Sequence, residues 1–111
     1  MRYDEIFDTI DELYKKNNEN QELAELVEDF YKAAFEYTKE RVKWNFYTRE
    51  EKSEFDNYRT SRHDSFIYHY NLLIRSLELT MDVSKLKIEG DRKMLGDFAN
   101  YVVYRLAVKQ R

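Results

Sequence analysis

The stretch that decides the fold is residues 20–55, which reads NQELAELVEDFYKAAFEYTKERVKWNFYTREEKSEF. Mostly apolar side chains recur in it at intervals of three and four residues. This spacing places them in two rows along the surface of one helix. The main row contains Leu23, Val27, Phe30, Ala34, Tyr37, Arg41 and Trp44, and the second contains Tyr31, Phe35, Val42 and Phe46. A helix with two such rows is expected to contact more than one neighbour.

Capping residues predict where the long helices begin. Asn20 is a residue type that accepts a hydrogen bond from the first free amides of a helix. Thr48 followed three residues later by Glu51 is typical of a capping box. The sequence therefore predicts one helix over about 21–47 and a second over about 49–80.

Two shorter helices are predicted to flank this pair. Long stretches without glycine or proline favour helix over sheet, and here proline is absent while both glycines lie in the last quarter of the chain. The first helix covers 2–16, and we expect its acidic residues on a solvent-facing side: Asp4, Glu5, Asp8, Asp11 and Glu12. The last helix covers 91–109 after a cap at Asp91. Residues 81–90 are compatible with an extended segment or one short turn.

These elements predict a single all-α domain over 1–111, an antiparallel four-helix bundle with two long central helices. At 1.5 Å per residue the four helices would be about 22, 40, 46 and 27 Å long. Helices joined by short loops pack antiparallel, so both short helices would lie at one end of the central hairpin. Residues 36–61 would then protrude, and we call them the hairpin arm. The alternative is a break at Thr60–Ser61 that folds the arm back onto its own domain.

The hairpin arm carries more aromatic surface than two helices can bury between them. A long apolar surface is unusual on a monomer, and a twofold axis across two arms would rebuild a four-helix bundle. We therefore expect a homodimer. Because aromatic anchors dominate interfaces, the expected contact residues are Trp44, Phe46, Phe55 and Tyr58.

A polar stripe follows the third predicted helix. We interpret it as a structural hydrogen-bond network, since buried polar groups must be paired and such pairs often fix the register between helices. Its members are Asp56, Arg59, His63, Asn71 and Arg75.

The same segment carries a resemblance. The run YRTSRH at residues 58–63, with Ile67, Asn71 and Arg75 after it and Trp44 before it, resembles a signature of small uncharacterised all-helical proteins. Those proteins come from low-GC Gram-positive bacteria and their phages. The resemblance covers residues 44–75 and implies an all-helical fold and a bacterial or mobile-element origin, but no activity.

A second pattern concerns Arg62 and His69, which are separated by six residues. This spacing is similar to the Arg-x(4–6)-His pattern of the helical nucleases called HEPN domains. That resemblance implies RNA cleavage without metal, in which the arginine stabilises the phosphate and the histidine transfers protons.

Composition narrows the remaining classes of function. The net charge of -3 and the mixed charges of the arm permit at most weak nucleic-acid binding. We expect no metal or cofactor, because the Glu-x-x-His pairs of helical iron sites and glycine-rich phosphate loops are missing. We expect no membrane span, and the absence of cysteine fits a reducing cytoplasm. The sequence thus predicts a non-enzymatic cytoplasmic module that binds itself or another protein, with a ribonuclease or weak nucleic-acid binding as alternatives.

Overall fold

Four helices make up the described part of the chain, which comprises residues 2–17, 19–88 and 92–109 of the computed structural model. They are α1 (Tyr3–Lys16), α2 (Gln21–Trp44), α3 (Arg49–Glu78) and α4 (Arg92–Lys109), with a 3₁₀ turn at Ser84–Leu86. These ranges contain no strand, so the prediction of an all-α chain with two long central helices is confirmed. The ambiguous segment forms a turn in its middle. The predicted cap Asp91 lies outside the described residues.

Side-chain caps fix the starts of both long helices, as the sequence predicts. The Asn20 side chain accepts a hydrogen bond from the Leu23 amide at 3.1 Å. Thr48 and Glu51 form a reciprocal capping box, in which each side chain accepts from the other residue's backbone amide at 3.1 and 3.0 Å. The box leaves only Asn45–Thr48 to connect the helices, so α2 and α3 pack side by side as an antiparallel hairpin.

The third helix continues through Thr60 and Ser61 without interruption. Its 30 residues give a length of about 45 Å at 1.5 Å per residue. The longest dimension of the molecule is 47 Å, close to that length. The alternative in which this helix breaks and folds the arm back is therefore wrong.

An aromatic cluster joins three helices at the centre of the core. Phe66 of α3 lies with its ring centroid 5.6 Å from that of Phe30 on α2 and 6.0 Å from that of Phe98 on α4. All three rings are fully buried. From α1, Phe7 and Ile10 join the same core. The hairpin is thus held to the rest of the domain near the middle of α3.

The fourth helix lies closer to the turn of the hairpin than predicted. It packs mainly on α2 rather than on α3. Arg92 donates a hydrogen bond to Thr60 at 3.2 Å, and Asp97 lies 3.5 Å from Arg41. Gly96 lies at this contact, where a Cβ atom would be 2.6 Å from Cζ of Arg41 and the arginine side chain would have to shift. One side of the hairpin arm is therefore covered by α4, and the uncovered part is shorter than predicted.

The first helix also differs from expectation at one acidic residue. Asp11, expected on the solvent side, is buried. Its carboxylate accepts a hydrogen bond from the Tyr31 hydroxyl at 3.5 Å and pairs with Lys15 at 3.2 Å. Burial, together with the Asp11 charge, raises the pKa of Tyr31 above its ordinary value. Because a helix buries a stripe wider than its apolar row, a carboxylate at the edge of that row becomes enclosed.

We predict that Phe66→Ala lowers the free energy of unfolding by about 3–5 kcal/mol, because it removes a fully buried ring and leaves a cavity between three helices. Urea unfolding followed by circular dichroism measures this change. Tyr68→Ala is the control: Tyr68 lies two residues away on α3 and is 53% exposed, so its loss should cost about 0.5 kcal/mol or less. Equal losses in the two variants would show that the Phe66 cluster is not the centre of the core.

Candidate interaction surface on the hairpin arm

The four predicted contact residues surround the turn between α2 and α3. Trp44 ends α2, Phe46 lies in the connection, and Phe55 and Tyr58 lie on the first turns of α3. Their exposures differ widely. Phe46 is 83% exposed and Tyr58 is 43% exposed, whereas Trp44 and Phe55 are half-buried. The arm therefore presents one nearly bare aromatic ring beside three that are partly covered.

Two of the covered rings are shielded by neighbours on the same hairpin. The Arg59 guanidinium lies over Trp44, with Cζ 4.0 Å from the ring centroid. Tyr47 contacts both rings, with its centroid 6.0 Å from that of Trp44 and 5.1 Å from that of Phe55. A cation held over an aromatic face is attracted by the negative charge of that face. Trp44 and Phe55 are thus stabilised within one chain.

Tyr58 is covered in the same way by the next arginine along α3. Cζ of Arg62 lies 4.7 Å from the Tyr58 centroid, and its Nη2 donates a hydrogen bond to the Tyr58 hydroxyl at 2.8 Å. Phe46 has no ring or cation contact among the described residues, and Val42, one turn before it, is 54% exposed. The uncovered apolar surface of the arm consequently centres on Phe46 and Val42.

A buried carboxylate supports the base of this surface. Glu40 of α2 is only 2% exposed, and the Tyr47 hydroxyl donates a hydrogen bond to it at 3.2 Å. The bond ties the connection back onto α2, which fixes where Tyr47 and the rings beside it lie. Glu40 was not among the predicted site residues. Its spacing, three residues after Tyr37 and four before Trp44, places it near the main row of α2 but does not reveal the tyrosine that bonds to it.

The predicted polar stripe occupies three separate places. Arg59 pairs with Asp56 at 3.5 Å beside Trp44. His63 faces Tyr37 edge-on at 5.4 Å between centroids, and its Nδ1 lies 3.2 Å from the neighbouring Asp64. Asn71 and Arg75 are exposed. They lie farther along α3, on the wall of a groove of about 470 Å³. The structure thus brings Asp56 and Arg59 together and places the other three members elsewhere.

The two residues of the nuclease pattern line one groove. Arg62 and His69 both contribute to a shallow groove of about 260 Å³ between α2 and α3. Asp29, Lys32 and Glu36 line its other side. The two carboxylates offset the charges of Lys32 and Arg62, so the groove has no positive surplus with which to bind a phosphate.

Two further kinds of site are absent from the part of the chain that the structure describes. No group of three or more histidine and acidic side chains there is placed to hold a metal ion. No helix in the described ranges has the length and apolar character needed to cross a membrane.

Comparison with known proteins found no matching family model, no matching curated protein and no matching solved structure. The class that the fold defines is therefore a small all-helical bundle protein. Neither resemblance drawn from the sequence gains support from these comparisons.

We predict that Arg59→Ala shifts the fluorescence of Trp44, the only tryptophan, to longer wavelength, because the ring loses its cover and gains contact with water. The free energy of unfolding should fall by about 0.5–2 kcal/mol, the range for a cation over an aromatic ring. Emission spectra and urea unfolding measure both effects. Arg49→Ala removes an exposed arginine from the same arm and should leave the spectrum unchanged. An unshifted Arg59→Ala spectrum would mean that Arg59 does not shield Trp44.

Proposed function

We propose that this protein is a non-enzymatic helical interaction module that forms a homodimer through its hairpin arm. The observation that carries this proposal is the exposure of Phe46 at the end of a hairpin arm whose other three predicted contact rings are at least partly covered by neighbours on the same chain. An exposed aromatic side chain costs free energy in water, and contact with an apolar surface recovers it. A rigid arm that ends in such a ring is suited to association.

A second copy is the partner that the charges and symmetry of the arm favour. Basic and acidic side chains alternate around the exposed rings, for example Lys43, Arg49 and Lys52 against Glu50 and Glu54. A twofold axis places each patch against its own image, so a mixed patch can pair opposite charges across the interface. A partner of one dominant charge would be matched only in part.

The dimer should be weak. The arm from about residue 36 to the turn is about 14 Å long and two helices wide, so the side that α4 leaves uncovered offers roughly 300 Å². A standard interface buries about 800 Å² on each partner, so an arm-only contact is expected to have a dissociation constant of about 10–100 μM. Weak self-association of this kind leaves room for exchange with another protein partner. The lack of cysteine fits the reducing cytoplasm that we propose as its setting, and a bacterial or phage origin rests on the resemblance of residues 44–75.

We predict that Phe46→Ala weakens self-association at least tenfold, because it removes the anchor of the exposed patch. Sedimentation equilibrium between about 5 and 300 μM, a range set to bracket the expected constant, measures this change. Leu79→Ala is the matched control. Leu79 is 86% exposed but follows the far end of α3, so this variant should associate like the unmodified protein.

Two outcomes would contradict the proposed dimer. The unmodified protein could remain monomeric across the whole concentration range. Alternatively, Leu79→Ala could weaken association as much as Phe46→Ala does, which would place the contact at the other end of the molecule.

Metal-independent RNA cleavage by Arg62 and His69 is the second candidate function. It is favoured by one observation, that both side chains line the same groove. The carboxylates of Asp29 and Glu36 offset the positive charges of that groove, which is why we prefer the interaction module. Weak nucleic-acid binding by the basic residues of the arm has no comparable support.

We predict that the purified protein leaves single-stranded RNA intact in the presence of EDTA, as judged by gel electrophoresis. Cleavage that disappears in both Arg62→Ala and His69→Ala, and persists in Arg49→Ala, would establish the nuclease instead. Cleavage that all three variants retain would point to a contaminating enzyme.

A further inference from the structure

A polar cleft lies beside the exposed rings, where the end of α2 meets α3 and α4. It has a volume of about 240 Å³ and is lined by Arg41, Val42, Trp44, Asn45, Arg59 and Asn100. Two guanidinium groups and two side-chain amides thus converge from α2, the connection, α3 and α4. Neither proposed function uses this combination.

Both guanidinium groups retain unused hydrogen-bond donors. Nη1 of Arg41 and Nε of Arg59 are buried atoms without a hydrogen-bond partner among the described residues. The ion pairs of these arginines are long, since Arg41 lies 3.5 Å from Asp97 and Arg59 lies 3.5 Å from Asp56. Buried donors are normally satisfied, so these atoms mark two arginines whose hydrogen-bonding capacity is not used up within the chain.

The charges around the cleft favour an anion. Asp97 is shared between Arg41 and Lys93, which lies 3.4 Å from it. Lys52 adds a further positive charge 5.8 Å from the centroid of Trp44. Against these cations and Arg59 stand Asp97, Asp56, the buried Glu40 at the base of the same surface and about half a negative charge at the C-terminus of α2, which leaves a small positive surplus.

Packing holds both arginines in place. The guanidinium of Arg41 lies directly against Gly96 and pairs with Asp97 on the same helix. The guanidinium of Arg59 rests on the face of Trp44. Because both groups are already positioned, a ligand would lose little free energy in ordering them.

We propose that this cleft binds a single oxyanion group, a phosphate or a carboxylate, with Arg41 and Arg59 as charged donors and the amides of Asn45 and Asn100 beside them. Arginine is suited to both groups because its planar fork matches their paired oxygens. The volume is below the roughly 300 Å³ at which sites for drug-sized ligands begin, so the cleft suits one such group rather than a nucleotide. All six lining residues belong to one chain, so the site does not depend on the proposed dimer.

Titration with inorganic phosphate tests this proposal, with sodium chloride at equal ionic strength as the reference. We expect a saturable change in Trp44 fluorescence with a dissociation constant of about 1–10 mM, typical of a site that holds one small group. Acetate titrated in the same way distinguishes a site for a phosphate group from a site for a carboxylate group. Saturation by phosphate alone assigns a phosphate group, saturation by acetate alone assigns a carboxylate, and either result supports an oxyanion site.

A matched pair of charge variants controls for general salt effects. Asn100→Asp places a negative charge at the cleft on an exposed position of α4 and should weaken binding at least tenfold. Asn57→Asp makes the same change at an exposed position of α3 that does not line the cleft, so it should bind like the unmodified protein. The same titration of Phe46→Ala should also saturate, which separates this site from the dimer.

The proposal is overturned if neither anion gives a saturable response. It is also overturned if Asn57→Asp loses binding as fully as Asn100→Asp does, since the effect would then be one of net charge. In both cases the role of Arg59 would be only to cover Trp44, and that of Arg41 only to pack against Gly96.

Discussion

The contact on which the rest of the structure depends is the packing of Phe66 between Phe30 and Phe98. It is the point at which α2, α3 and α4 all meet, and its three rings exclude water completely. Because Phe66 lies near the middle of α3, the half of that helix toward Arg49 extends beyond the cluster. The protruding hairpin is therefore a consequence of where one aromatic cluster falls along a 30-residue helix.

Beyond that cluster the chain stabilises its aromatic side chains with arginine. Arg59 lies over Trp44, Arg62 over Tyr58, and at the other side of the molecule Arg105 lies over Phe7 at 4.7 Å. In each case the guanidinium itself lies over the ring, whose negatively charged face attracts a cation. This arrangement explains how a thin hairpin of two helices can carry so many rings. It also explains why Phe46, in the connection and beyond the reach of such a cover, is exposed.

Features that depend on neighbouring residues alone were predictable from the sequence. The caps at Asn20 and Thr48 require only side chains within three residues, and the helix bounds followed from them to within about three residues. The burial of Asp11 and Glu40 was not predictable in this way. Each depends on a tyrosine that the fold brings to it, Tyr31 from another helix and Tyr47 from a connection whose path helical periodicity does not describe. The packing of α4 on α2 was not predictable either, because the sequence marks Gly96 only as a weak helix former and does not show that it lies against Arg41.

The candidate site, too, was only partly predictable from the sequence. Sequence periodicity identified the four rings of the arm but could not rank them, because exposure depends on which arginine lies above each ring. The structure separates Phe46, which has no such neighbour, from Trp44, which does. Internal packing accounts for the covered rings and leaves the exposed one without a structural role. Catalysis requires polar groups fixed around an enclosed point, whereas a bare ring on a rigid hairpin requires only an apolar surface to meet, and for this reason we propose association rather than catalysis as the role of Phe46.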